Sequence, residues 1–455
     1  MIYNTHTMGI CHSRGSGATT RRIVDALRDF GVATALVLAA AGAPSPSAEP
    51  VLPSPSAEVL ALAAGPAAPT AAELLAAALL FSDAARADAA RADAARADAA
   101  RADAAMAAGL EAIAAAEALA ASVAGQYELG AALLAAMHAR LSEYRLMESR
   151  LDRALLEGRY NCVGSSTLYA IMASAAGLRV RGVLLDDHAY CYLETAGGRV
   201  DVETTIPGGY DARKGEPPAG AADVSVRGVI ALALRNRATT LERSGQWDGA
   251  LALAVDAYAY APDPSSFSTL VGRVNNAVAY RIRSGAYGEA LGLAEAAQLA
   301  YGPDRRLDEV RRSAALAAAT EALRVAKPDE ALALADGVAA SGIADEAWLE
   351  RAYAYAYAGL AERLRAAGDH LGAWALASEA VARFPAYGAL SSLERTARIN
   401  WARAEHNRFA ALYNAGAYGE ALAVVRAALA LAPGDAMLLA DEKAAAEAIG
   451  PGQRP

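Results

Sequence analysis

The chain has 455 residues, enough for roughly two to four domains and a sizeable buried core. It is 55% apolar, 20% charged and 6% aromatic, rich in Ala, with a net charge of −9; this points to helix and excludes the basic footprint of a nucleic-acid binder. Three cysteines cannot staple a chain of this size, no CxxC or Cys/His cluster suggests structural zinc, and no apolar run reaches the ~20 residues of a standard membrane helix.

Residues 1–60 lack the character of a domain. Arg21 and Arg22 precede the small, apolar run Phe30–Ala43, and a self-repeating linker, PSPSAEPVLPSPSAE, follows. A basic region, a short apolar core and small residues at its exit form the pattern of a secretory signal, which would send the protein to the periplasm or outside the cell. Asp25 and Asp29 inside the basic region favour the other reading, a cytoplasmic chain with a polar tail and one short helix. Residues 61–125 are Ala-rich. From Asp83 to Ala105 the motif DAARA recurs, and five residues advance a helix by about 140° net. Asp and Arg then fall on every face and no apolar stripe forms, so an exposed spacer helix is expected, held by Ala propensity and Asp–Arg pairs at i,i+3.

Residues 126–222 change pattern. Leu134, His138, Leu141, Tyr144 and Leu151 recur at helical spacing, with His138 read as a packing or surface residue. From Gly158 the chain runs GRYNCVGSSTLYAIMASAAGL, then RVRGVLLDDHAYCYLE, TAGG and RVDVETT. The first part predicts a turn and a helix starting near Cys162, with Tyr169, Met172 and Ala173 buried and Gly177 as its stop. Strands follow at Val180–Leu185 and Ala189–Glu194, with Arg199–Thr205 returning after a hairpin turn.

Cys162 at a helix start has free N–H groups and a dipole that favour a thiolate and an oxyanion. His188, opening a strand, is a candidate general base. A two-residue turn at Gly197-Gly198 would set Tyr192 against Glu203; a four-residue turn would set Tyr190 against Glu203. Either register puts His188, Asp201 and Glu203 on one face and Cys191 on the other. Glu203 lies two or four positions from the residue opposite His188, roughly 7–14 Å by strand rise, and Asp201 lies farther. Glu203 is therefore the expected partner of His188, with Asp201 as the fallback. Asn161 has two readings, an oxyanion donor or the turn before the helix. Asp186 and Asp187 read as solvated turn residues and Cys191 as core. Tyr190 and Tyr192 either line a cleft or pack.

The segment GRYNCVGSS…AAGLRVRGVLLDDHAYCYLE…VDVETT resembles the transglutaminase-like, papain-like cysteine-hydrolase superfamily, in the bacterial branch that carries helical repeats. The matching features are a Cys opening a helix, a GLxxRGV strand, a His leading the next strand and an acid in a D/E-x-T element: Cys162, Gly177–Val183, His188 and Glu203-Thr204-Thr205. The resemblance implies a papain-like core and a Cys162–His188–Glu203 triad acting without a cofactor or metal. Glu203 stands where Asp is usual in animal transglutaminases, and their calcium-ligand clusters are missing. Hydrolysis of an amide or peptide bond is therefore expected, rather than calcium-dependent cross-linking.

A Pro/Gly-rich link near Arg213–Ala222 leads to repeats over residues 229–449. SGQWDGALALAVDAYAYAP, SGAYGEALGLAEAAQLAYGP, AAGDHLGAWALASEAVARFP and NAGAYGEALAVVRAALALAP share a Gly, small residues at fixed offsets and a closing Pro. The repeat positions are Gly245, Gly285, Ala326 in a degenerate copy, Gly368 and Gly416, spaced 40, 41, 42 and 48 residues. The pattern resembles tetratricopeptide repeats, with longer helices or outer loops than the usual period of about 34 residues. The expected architecture is a small α+β papain/transglutaminase-like core followed by an all-α, tetratricopeptide-like, right-handed solenoid. Its groove would bind a protein or peptide partner; neither nucleic acid nor a stable membrane span is implied. The alternative to a hydrolase is a catalytically inactive interaction scaffold.

Overall fold

A computed structural model of the chain describes residues 52–82, 92–213 and 217–449. The signal-like run Phe30–Ala43 and the first part of the DAARA stretch lie outside the described residues. The described residues divide into two compact units, one within Ala48–Arg311 and one from Arg312 onward.

The first unit opens with helices α1 (Ala57–Ala63), α2 (Ala71–Ser82), α3 (Ala92–Ser122) and α4 (Gln126–His138). A short strand β1 (Glu143–Tyr144), helix α5 (Leu151–Glu157) and strand β2 (Arg159–Tyr160) follow, and β1 and β2 pair in parallel. Helix α6 (Cys162–Ala175) is the centre of the unit, with every side chain from Cys162 to Ala173 buried. Strands β3 (Arg179–Leu184), β4 (Ala189–Thr195), β5 (Gly198–Val202) and β6 (Ala222–Val224) form one antiparallel sheet in the order β5-β4-β3-β6. The α6 side chains pack against Val180, Leu184, Cys191 and Leu193 of this sheet in a single core. Alternation along the strands sends Val183, Tyr190 and Tyr192 to the other face, where they make a small cluster of their own. The guanidinium of Arg199 lies 3.9 Å over the Tyr192 ring and that of Arg213 4.6 Å over Tyr190. Both tyrosines are thus packed under arginines.

Three expectations need correction. The described second half of the Ala-rich region is not an exposed spacer: Ala112, Ile113 and Ala116 of α3 share the core of α6, as do Leu74, Leu75 and Phe81 of α2. The DAARA pattern stops at Ala105, and Ala112, Ile113, Ala116, Leu119 and Ala120 then recur at three- and four-residue spacing, which is a stripe. Upstream of it, Arg101 is held by Asp152 at 2.6 Å and Glu157 at 2.8 Å. By length and composition alone, Ala99–Ser122 could also cross a membrane. Second, the residues at helical spacing from Leu134 to Leu151 do not lie on one helix, because α4 ends at His138. The N–H groups of Ser142 and Glu143 both donate to Gly158 O, which draws the chain into β1 and leaves Tyr144 exposed. Third, the return strand β5 ends at Val202, and residues after it turn.

After this α+β region comes a long run of helices stacked on their neighbours in sequence. In the first unit these are α7 (Val226–Arg243), α8 (Trp247–Tyr260), α9 (Pro264–Arg283) and α10 (Tyr287–Tyr301). Helix α11 (Arg305–Val325) carries the division between the units. The second unit continues with α12 (Pro328–Ser341), α13 (Glu346–Ala366), α14 (His370–Arg383), α15 (Gly388–Asn414), α16 (Tyr418–Leu431) and α17 (Ala436–Ile449). Within it α13 also touches α15, and α15 touches α17, so helix pairs stack on helix pairs.

The repeated glycines close these pairs in one way. Gly245, Gly285, Gly368 and Gly416 have φ of 79°, 80°, 83° and 74°. The residue after each donates its N–H five residues back, as in Gln246 to Leu241 and Asp369 to Leu364. This is the Schellman closure, which needs a left-handed residue. The degenerate copy at Ala326 lacks the glycine and starts α12 with Pro328 in its first turn instead. The helices before the four glycines are 18, 20, 21 and 27 residues long, which accounts for the long repeat. Of the alternating tyrosines in α13, Tyr353 and Tyr357 are buried and Tyr355 is exposed, as one helical stripe requires.

Candidate active site

Cys162 is the first residue of α6, and Asn161 is its N-cap. The Asn161 side-chain oxygen accepts from the N–H groups of Val163 at 2.9 Å and Gly164 at 3.1 Å, and its amide donates to Leu146 O at 3.0 Å. Of its two sequence readings, Asn161 therefore takes the structural one. The Cys162 N–H sits in the first turn, where no intrahelical acceptor exists. The sulfur itself is buried at the edge of the core, with Cys162 only 7% exposed.

His188 stands one residue before β4, and Glu203 one residue after β5. Cys191 pairs with Val202 and Tyr192 with Asp201, so the observed register continues as Tyr190 opposite Glu203. This matches the second of the two registers considered, though the turn that sets it is Ala196-Gly197, between Thr195 and Gly198. Beyond the ladder the chain bends, and His188 Nε2 meets Glu203 Oε2 at 2.9 Å. Asp201 remains in the ladder, where its Oδ1 accepts from Arg199 at 2.6 Å. Glu203, not Asp201, is thus the carboxylate on His188.

The loop that holds Glu203 is tied at many points. Oε1 accepts from the Thr205 hydroxyl at 2.7 Å, and Oε2 also accepts from Arg213 at 2.9 Å. The Thr204 hydroxyl, fully buried, lies 3.1 Å from the Ser165 hydroxyl and 2.8 Å from that of Ser166, both on α6. Thr204 O faces His138 Nε2 at 3.1 Å, and Thr205 O accepts from the Tyr160 hydroxyl at 3.0 Å. The Glu203 N–H donates to Gly209 O at 2.9 Å. A Cβ on Gly209 would sit 1.9 Å from Glu203 O, so this closure admits only glycine.

These contacts set the charges. A hydrogen bond with the Cys162 side chain, then one with Glu203, lifts the His188 pKa to about 9 against the opposing effect of burial. Burial disfavours the Glu203 charge, but hydrogen bonds from His188, Thr205 and Arg213 overcome it and hold the carboxyl at about 2. At neutral pH the imidazole is a cation beside a carboxylate. Cys191 is fully buried, donates to Ser166 O at 3.4 Å, and has its pKa pushed up to about 12 by burial. Asp186 and Asp187 are exposed turn residues.

Sequence reasoning missed Arg213, Thr204 and the part played by His138. Arg213 lies in a segment read as a link and carries no spacing signal. The run of Ser165, Ser166 and Thr167 in a mostly apolar helix was the available sign of a buried polar partner. Among the described residues, no group of three or more His, Cys, Asp or Glu side chains is placed to hold a metal ion. A scan against protein-family models finds no match, and a search of curated proteins finds none.

Proposed function

We propose that this protein is a cysteine hydrolase of amide or peptide bonds, transglutaminase-like in kind, with Cys162 as nucleophile, His188 as general base and acid, and Glu203 as the residue that orients His188. The observation that carries the reading is the 2.9 Å bond between His188 Nε2 and the Glu203 carboxylate, with the Cys162 side chain, at the start of helix α6, also raising the His188 pKa. In this reaction the sulfur, its proton held by His188, attacks the acyl carbon. The oxyanion forms at the Cys162 N–H. His188 then gives its proton to the leaving nitrogen as the C–N bond breaks. A water, losing a proton to His188, attacks the thioester and releases the acid and the thiol. Glu203, charged and bonded at both oxygens, keeps the ring in one orientation throughout.

We assign the helical repeats the recruitment of a protein or peptide partner. In the second unit the large apolar side chains of Tyr355, Leu371 and Ile399 are exposed, and a partner's apolar groups can cover them. The enzymatic reading is tested with fluorogenic peptide amides on the full chain. Turnover that disappears in Cys162→Ala and persists in Cys191→Ala supports it. Turnover that survives Cys162→Ala refutes it.

A further inference from the structure

The turn Arg145–Glu148 breaks the usual chemistry of turns. Its Glu148 N–H donates to Arg145 O at 2.9 Å, and its two central residues are Leu146 and Met147, 68% and 72% exposed. Gly, Pro, Asn, Asp and Ser normally hold such positions. The turn is not remote from the nucleophile: its Leu146 carbonyl accepts from Asn161, the cap of the Cys162 helix, and its Arg145 N–H donates to Tyr160 O at 2.7 Å. Tyr144, just before the turn, meets Tyr160 edge-on at 5.7 Å. The Tyr160 hydroxyl binds Thr205 O, and the next residue, Ile206, is 50% exposed. Four large apolar side chains thus face solvent on segments bonded to the Cys162 cap or following Glu203.

We infer that Tyr144, Leu146, Met147 and Ile206 form the recognition surface for the acyl side of the substrate, and that the residue next to the scissile carbonyl is large and apolar. The inference rests on the reading of Cys162 as nucleophile. The acyl side follows from chemistry: the leaving nitrogen must lie toward His188, its proton donor, whereas this turn is bonded to the cap beside the sulfur. Large apolar side chains held in water on these segments gain by being covered, and here the covering group is the substrate.

The test uses two peptidyl acyloxymethyl ketones that differ only in the residue next to the carbonyl, Leu or Glu, and measures their labelling rates at Cys162 of the full chain by mass spectrometry. The Leu reagent should react at least about tenfold faster, the scale of apolar-pocket discrimination. Leu146→Ser with Met147→Ser should erase that ratio, while labelling by small, unselective chloroacetamide stays unchanged. Equal rates for the two reagents, or a ratio that survives the double variant, overturns the inference while chloroacetamide still labels Cys162. Failure of chloroacetamide to label native Cys162 overturns the nucleophile reading as well.

Discussion

Glu203→Gln isolates the electrostatic contribution of the carboxylate. The amide oxygen can keep the contacts that Oε2 makes with His188 and Arg213, each at 2.9 Å, while the amide nitrogen gives up those that Oε1 accepts from Thr205. The charge is lost. A hydrogen bond between charged partners contributes about 1.5–3 kcal/mol, and a tenfold change in proton affinity is about 1.4 kcal/mol. The neutral partner keeps part of that bond, so the His188 pKa should fall from about 9 to roughly 7–8. The sign follows from the direction of the perturbation. Folding raises the His188 pKa, so the protonated ring and its stabilisation are complete below the unfolded value and are lost as pH rises through about 9. In Glu203→Gln that loss begins at lower pH. Amide turnover, which needs the protonated ring to release the leaving nitrogen, should lose its alkaline limb earlier, and NMR titration of the His188 ring should show the same displacement. An alkaline limb that stays in place, with the His188 titration unchanged, refutes the electrostatic account of Glu203.

Arg213→Gln should act in the opposite direction. Removing a cation from the Glu203 carboxylate leaves more negative charge for His188, so the alkaline limb should move upward; a downward move counts against the shared-oxygen geometry. Gly209→Ala should distort the Glu203 loop, because its Cβ meets Glu203 O, and should lower stability by about 1–3 kcal/mol in a thermal melt together with turnover. Asn161→Ala should lower stability by about 1–2 kcal/mol in urea unfolding, since it removes the cap on Val163 and Gly164 and the donor to Leu146 O.

Much of the site was legible as order and parity. A Cys opening a helix, a His leading a strand and an acid near the end of the return strand can be read from local patterns alone, and the two-residue alternation put His188, Asp201 and Glu203 on one face. The register was not legible. Ala196-Gly197-Gly198 offers several turns, and one residue of difference decides which positions face each other. The choice between Glu203 and Asp201 was within reach because strand rise favours the nearer residue. What brings them together, though, is the bend after Val202, stitched by Thr204 to Ser165 and Ser166. Contacts such as Arg213 with Glu203 leave no periodic trace. The same limit hid β6, three residues after a Pro/Gly-rich link that pair with β3. In the repeats, by contrast, each Gly and Pro acts locally, so turns and helix ends could be placed from sequence. The Ala-rich region misled because its first half carries no stripe and its second half does.

The central claim is that Cys162 is activated by His188 within this fold. Peptide mapping after a short reaction with an amide-mimicking electrophile tests it most directly, comparing the native protein with His188→Ala and with the urea-unfolded chain. The account predicts that native Cys162 carries the label, that fully buried Cys191 is labelled only after unfolding, and that His188→Ala slows Cys162 labelling by about a hundredfold or more. Native Cys162 that reacts no faster than in the unfolded chain, or equally fast without His188, contradicts it.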